Sequence, residues 1–232
     1  MISVVLVTFN RAERLKGSIQ DILDQTFQDF EIIICDDAST DSTALVCRDF
    51  ADRDTRIFYF RQPQNVGMPN NLISGFQMAR YPYLAILHDG DRFDNQLLER
   101  WYEGIQASSN IGLVFNATGI MNKAQELTKC FMEFEEGIIE GNQLLEKVFF
   151  RRWHFDSPVY GEAMIRKDVL NEIGYFDKRF GFYADVDFWM RLLHRYDAYY
   201  CRSILIKGRK NNSTTAFCRQ YDTHLPTYEQ NT

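Results

Sequence analysis

The chain has 232 residues, of which 45% are hydrophobic and 25% charged, enough for one full core and too apolar for a disordered chain. Its 26 basic and 32 acidic residues leave a net charge of −6, which argues against nucleic-acid binding through a general basic surface. The five cysteines are odd in number and form no C-x-x-C pair, which argues against a disulfide framework or a zinc site and suits a reducing cytosol. The opening run Ile2 to Val7 is strand-length and lacks the flanks of a leader, and no apolar window reaches membrane-spanning length, so a cytoplasmic protein is expected. The 19 Phe, 12 Tyr and 3 Trp suit a large core and a stacking platform for a planar or sugar ring.

Ile2 to Val7 is a continuous β-branched and apolar run, the pattern of a strand buried on both faces. It stops at Thr8-Phe9-Asn10, and Asn10 with Glu13 is placed to cap a helix through Leu15, Ile19, Ile22 and Leu23. Phe30 to Cys35 is a second strand, ending in Asp36-Asp37. Thr40 or Asp41 then caps a helix whose apolar face takes Leu45, Val46 and Phe50. Ile57 to Phe60 is a third strand, followed by a polar loop through Gly67. Pro69 opens a helix carrying Leu72, Phe76 and Ala79. Tyr83 to Leu87 is the fourth strand, and Asp94 or Asn95 opens a helix through Leu97, Leu98, Trp101 and Ile105. Beyond Ser108 the expectations are one or two strands over 112–122, an irregular charged stretch over 123–137 and a helix over 139–150. A strand over 159–166, a short helix over 167–173, a helix over 187–196 and a last strand over 199–206 complete the chain.

Buried strands alternating with helices predict an α/β domain, a mostly parallel central sheet with helices on both faces. Parallel strands carry their carboxyl ends to one edge, where open α/β sheets bind ligands. Thr8, Phe9, Asp36, Asp37, Asp89 and Asp91 are therefore expected in one crevice. Asp89-Gly90-Asp91 follows the fourth strand at once. Two carboxylates so close repel unless something positive joins them, and a divalent cation on a diphosphate fits, hard cations preferring oxygen. A turn with acidic tips is the simpler reading of those three residues taken alone.

Taken together, the motifs resemble the family 2 glycosyltransferases of the GT-A fold. The resemblance rests on Ser3 to Arg11, on Asp24-Gln25-Thr26-Phe27 through Asp36-Asp37-Ala38-Ser39-Thr40-Asp41, and on Asn65-Val66-Gly67 with Asn71. It continues through Asp89-Gly90-Asp91, Gly174-Tyr175-Phe176-Asp177 and Asp185-Val186-Asp187-Phe188-Trp189-Met190-Arg191-Leu192. It covers residues 2 to 207 and implies a single domain. Within it, about 1–110 would bind a nucleotide sugar and about 111–210 the acceptor, followed by a tail over 211–232.

The resemblance implies an inverting transfer from a UDP- or dTDP-sugar, with a divalent metal (Mn²⁺ or Mg²⁺), to a glycan or lipid-linked glycan. The setting it implies is bacterial cell-surface polysaccharide assembly, with peripheral association at the inner membrane face. Phe9 would stack on the base and Asp37 accept its imide proton. Asp36 would serve ribose or loop geometry. Thr8, Asn10, Asn65, Gly67 and Asn71 would complete the donor site, Asp89 would hold ribose and metal, and Asp91 would be the direct metal ligand. Asp185 would be the general base, its carboxyl held down in pKa by a helix N-terminus. The chain departs from the family pattern at Ala184, where glutamate is usual. It departs again at Lys207 to Asn212, which lacks the expected His, leaving Arg209 or Lys210 for phosphate. His88 and Trp189 read as structural, and Asp187 with Arg191 as an i, i+4 pair. Arg151-Arg152-Trp153-His154 is either acceptor-facing or exposed. A dehydrogenase, a P-loop enzyme and a sugar nucleotidyltransferase each need a glycine-rich loop that is missing here. The rival from another class is a catalytically silent sugar-nucleotide-binding module.

Overall fold

A computed structural model describes residues 1–122, 124–150 and 161–209. The first half runs β1 (Ile2–Thr8), α1 (Ala12–Leu23), β2 (Phe30–Asp36), α2 (Thr43–Arg53), β3 (Ile57–Arg61), α3 (Met68–Met78) and β4 (Tyr83–His88). It continues through β5 (Arg92–Phe93), α4 (Leu97–Gln106), β6 (Ile111–Met121), β7 (Leu127–Phe131), β8 (Gly137–Ile139) and α5 (Gly141–Phe150). β9 (Ala163–Arg166), α6 (Val169–Ile173), a 3-10 segment (Lys178–Tyr183), α7 (Ala184–Leu193) and β10 (Asp197–Arg209) close the described chain.

One sheet takes all the strands, in the order β3-β2-β1-β4-β9-β6-β10-β5, with β7 added beside β6 and β8 beside β10. β3, β2, β1 and β4 are parallel, as expected from their strand–helix alternation. The rest adds antiparallel strands to this parallel frame. β9 lies antiparallel between β4 and β6, β6 pairs parallel with β10, and β5, β7 and β8 all pair antiparallel. The stretch 123–137, expected to be irregular, supplies β7, which folds back on β6 as a hairpin, and the start of β8.

β1 and β2 are buried along their whole length, and alternate residues feed two cores. Val5, Val7, Ile33 and Cys35 face α3, α6 and α7 through Leu72, Phe76, Leu170, Ala184 and Phe188. Ile2, Val4, Leu6, Ile32 and Ile34 face α1, α2 and α4 through Leu15, Ile19, Ile22, Cys47, Leu98 and Trp101. The helix faces follow the sequence periodicity except at Leu45, expected inward, which is 68% exposed while Val46 and Cys47 take the core. Trp189 is core, as read from the sequence, packed edge-on against Phe188. Among the described residues no helix is long and apolar enough to cross a membrane.

α5 approaches the end of α7 so closely that a Cβ on Gly141 would lie 2.1 Å from the Leu193 carbonyl oxygen and 2.2 Å from that of Tyr196. Backbone cannot yield as a side chain can, so Gly141→Ala is expected to lower stability by at least about 1–3 kcal/mol, the usual cost of overpacking. A urea titration with an unchanged m-value checks this.

Candidate active site

The ends of β1, β2 and β4 meet as the topology requires. The Asp37 N–H donates to the Thr8 carbonyl at 3.0 Å, and the Asp89 N–H to that of Val7 at 3.3 Å. Across this edge the Thr8 hydroxyl donates to Asp89 Oδ2 at 2.6 Å, and Arg11 Nη1 stands 3.5 Å from Asp89 Oδ1. Burial raises the Asp89 carboxyl pKa, while the Thr8 hydroxyl and then Arg11 pull against it. Phe9, next along β1, is 45% exposed at the crevice edge and is no core residue.

The second strand delivers its two aspartates to different tasks. Asp36 is fully buried, accepting from the Ser39 N–H at 2.9 Å and the Tyr59 hydroxyl at 2.8 Å. These bonds brace the loop that follows β2. Asp37 accepts from the N–H groups of Val66 at 2.7 Å and Gly67 at 3.0 Å, tying the Asn65-Val66-Gly67 loop to the β2 end. Asn65 adds a bond from its amide to the Asp37 carbonyl. Asn71 is buried on the first turn and a half of α3, its amide donating to the Cys35 carbonyl at 2.7 Å, so it braces this loop from below.

Asn10 does not cap its own helix. It adopts φ +53°, and its Oδ1 accepts from the N–H groups of Thr40 at 2.7 Å and Asp41 at 3.3 Å. Asp41 answers in kind. Its Oδ2 accepts from the Ala12 N–H at the start of α1, and its Oδ1 from Thr43 at the start of α2. The hydroxyl of Thr43 takes the Arg11 N–H. The start of α1 therefore takes its acceptors from Asp41 and Thr43, while Asn10 supplies acceptors to the loop ahead of α2, whose own start is served by Asp41. α4 is capped at a distance too. Gln25 accepts from the Leu98 N–H at 2.9 Å and donates to the Asp94 carbonyl at 2.7 Å.

The two aspartates of the acidic turn diverge. Asp89 faces Thr8 and Arg11, whereas Asp91 lies near Gly208 of β10, and its charge bears on the carboxyl of Glu162. Glu162 was not singled out from the sequence. It stands just ahead of β9 and is 7% exposed, and it accepts from the His88 N–H at 3.2 Å. Burial and then the Asp91 charge raise its pKa. The His88 imidazole is pushed down to about 4, by desolvation and then by Arg11, so it is neutral near pH 7. A glutamate just after a glycine, at the head of a strand, was the available signal. The sequence does not say that this strand inserts beside β4.

Asp185 lies in the first turn of α7, which begins at Ala184 rather than at Asp187 as expected. Its Oδ1 accepts from the Val186 N–H at 2.8 Å. Burial nevertheless outweighs these N–H groups, and the pKa is raised, the reverse of the sequence expectation. Ala184 is 1% exposed in the core, where a glutamate would have to bury its charge. Arg191 grips Asp187 at 2.7 Å, the expected i, i+4 pair, and donates to the carbonyls of Ile173 and Tyr175. That holds the Gly174-Tyr175-Phe176-Asp177 turn against α7, with Phe176 stacked on Phe188 at 4.3 Å. Exposed Tyr175, Phe180 and Tyr183 flank this end of the helix. Lys210 and Arg151 to His154 lie outside the described residues, as does the Arg209 side chain.

A sheet whose parallel half ends in Thr8, Asp37 and Asp89, crossed by an antiparallel strand and followed by an acidic helix start, defines the GT-A class of α/β domain. The chain belongs to glycosyl transferase family 2, whose model matches residues 3–174. It is 28% identical over 190 residues to the GalNAc(5)-diNAcBac-PP-undecaprenol beta-1,3-glucosyltransferase of Campylobacter jejuni, covering 75% of this chain and 61% of that protein. Its fold is similar to TarS of S. aureus in complex with UDP-GlcNAc, with a TM-score of 0.69 at 15% identity, over 91% of this chain and 59% of that one. It is also similar to a mannosyltransferase from Pyrobaculum calidifontis in complex with GDP-Man and Mn²⁺, with a TM-score of 0.69 at 16% identity, over 96% and 61% of the two chains. The chain spans a little under two thirds of the length of the curated relatives it matches.

Proposed function

We propose that this domain moves a sugar from a nucleoside diphosphate, UDP or dTDP, to an acceptor hydroxyl with inversion, assisted by a divalent metal. The observation that supports it most is the crevice itself. The Thr8–Asp89 bond, the Asp37-anchored loop and exposed Phe9 together offer a hydroxyl-and-carboxylate wall with an aromatic edge, the chemistry a nucleoside needs. Phe9 supplies a stacking face. The remaining lone pairs of the Asp37 carboxylate suit an imide N–H, and Asp89 suits a ribose hydroxyl.

Among the described residues no three His, Cys, Asp or Glu side chains are arranged to hold a metal by themselves. A cation that arrives on a diphosphate needs only one or two carboxylates besides the phosphate oxygens and water. Asp91, already against a second carboxyl, fits that requirement better than Asp89, whose oxygens face Thr8 and Arg11. Such a cation supplies charge stabilisation for the departing diphosphate. Asp185 accepts the acceptor's hydroxyl proton as that oxygen bonds to the anomeric carbon and the bond to the diphosphate oxygen breaks on the opposite face. The name of the Campylobacter relative supports a lipid-linked glycan as acceptor and a cell-surface polysaccharide setting, with this domain working at the inner membrane face.

A thermal-shift screen of UDP-, dTDP- and GDP-sugars, with and without Mn²⁺, tests the reading. One donor class should raise the melting temperature only with Mn²⁺, since ligands that bind the folded state stabilise it by mass action. No shift with any donor would overturn the function. Binding without diphosphate release, acceptors added, would favour a silent module.

A further inference from the structure

Two stripes of side chains run along α1, one step apart round its axis. Ala12, Leu15, Ile19 and Ile22 face the core. Each has a polar neighbour one residue earlier, and these four, Arg11, Arg14, Ser18 and Asp21, follow the acidic turn in register. Arg11 Nη1 is 3.5 Å from Asp89 Oδ1. A Cβ on Gly90 would stand 3.1 Å from Arg14 Cδ. Ser18 Oγ accepts from the Gly90 N–H at 3.0 Å and donates to the Asp91 carbonyl at 2.9 Å. Asp21 accepts from the Phe93 N–H at 3.0 Å and takes the Arg92 guanidinium at 2.5 and 2.6 Å.

Ser18 is the fully buried member of the stripe. A helical serine often turns its hydroxyl back on its own backbone. This one instead joins the peptide ahead of Gly90 to the peptide after Asp91. Gly90 adopts φ +91°, and a glycine leaves its own backbone free to turn. The serine bridge fixes what the glycine leaves loose, and the carboxylates of Asp89 and Asp91 both spring from the bridged backbone.

We propose that Ser18 is a positioning residue for the donor, setting the separation and direction of the Asp89 and Asp91 carboxylates through the backbone of the turn. The proposal rests on the reading of the crevice as a nucleotide-sugar site. Binding groups displaced by even about 1 Å are costly, and a buried bond to the backbone that carries them guards against this.

The test compares wild type, Ser18→Ala, Ser18→Cys, Ser18→Thr and Ile22→Val. Alanine removes the bridge, cysteine fills the same space with far weaker bonds, and threonine keeps the hydroxyl. Ile22→Val trims the core stripe of the same helix and shows what a loosened α1 does by itself. Two quantities are measured: amide exchange of Gly90 by NMR without ligand, and calorimetric affinity for UDP and dTDP with Mn²⁺. Ser18→Ala and Ser18→Cys should speed Gly90 exchange by about tenfold or more and weaken nucleotide binding by about fivefold or more. Ser18→Thr and Ile22→Val should stay within about twofold of wild type on both. In turnover, Ser18→Ala should raise KM for the nucleotide sugar more than it lowers kcat.

Unchanged Gly90 exchange in both Ser18→Ala and Ser18→Cys overturns the proposal, because the bridge then does not hold the turn. Faster exchange with wild-type nucleotide affinity overturns it too, because the donor is then indifferent to the turn. So does an Ile22→Val variant that binds as weakly as Ser18→Ala, or a Ser18→Thr variant that keeps slow exchange but not affinity. If the wild type binds neither UDP nor dTDP, the reading of the crevice fails first, and this proposal with it.

Discussion

Asp185→Asn is expected to abolish sugar transfer while leaving donor binding intact. The variant removes the only proton acceptor assigned to the reaction but nothing that faces the nucleotide, so kcat should fall by roughly 10²–10⁴-fold, the usual worth of general-base catalysis. The donor-induced thermal shift should persist. The wild-type rate should also carry the signature of this carboxyl. Its pKa is raised by burial, so the base form is lost as pH falls through a value above the ordinary aspartate range. The acid limb of the kcat profile should therefore sit above the usual carboxylate pKa, and Asp185→Asn should erase it. An unchanged rate in Asp185→Asn would move the base elsewhere, with the aromatic rim of Tyr175, Phe180 and Tyr183 the next region to search.

Asp91→Ala is expected to act on the other partner. It removes the carboxylate that would meet the diphosphate through metal, so the Mn²⁺-dependent part of the donor thermal shift should vanish. Turnover should drop by roughly 10²–10³-fold, the scale of losing one preorganised group at developing charge. Because the Asp91 charge bears on the buried carboxyl of Glu162, the metal-free melting temperature of the variant must be measured alongside; the prediction concerns the difference that Mn²⁺ makes. If Asp91→Ala retains the full Mn²⁺-dependent shift, Asp91 does not hold the metal.

The half of the chain that forms the crevice was legible because its strands are long, apolar and separated by helices. That pattern leaves parallel pairing as the simplest solution, and parallel pairing sends Thr8, Asp37 and Asp89 to one edge. Glu162 was not legible for the complementary reason. Its importance depends on β9 inserting antiparallel between β4 and β6, a pairing that joins residues far apart in sequence and that no local pattern specifies. The misread caps have a similar origin. Asn10 and Asp41 each look like a residue capping the helix that follows it, and sequence spacing cannot show that Asn10 instead serves the neighbouring loop or that Asp41 serves both helices. For Asp185 the error lay in magnitude. The helix N-terminus was foreseen, but the burial that outweighs it is a tertiary property.

The interlocking of the first two βα loops bears on how the proposed donor preference can be altered. The proposed base-stacking Phe9 belongs to one loop and the Asp37 clamp to the other, yet the start of α1 draws its acceptors from Asp41 and Thr43, and the N–H groups of residues 40 and 41 draw theirs from Asn10. Transplanting residues 9–11 alone from a relative with another preference would strip acceptors from residues 40 and 41, and transplanting 38–43 alone would strip them from residues 11 and 12. Recombination breakpoints between these segments are therefore disfavoured, and chimeras for reprogramming the donor should exchange both as a single cassette.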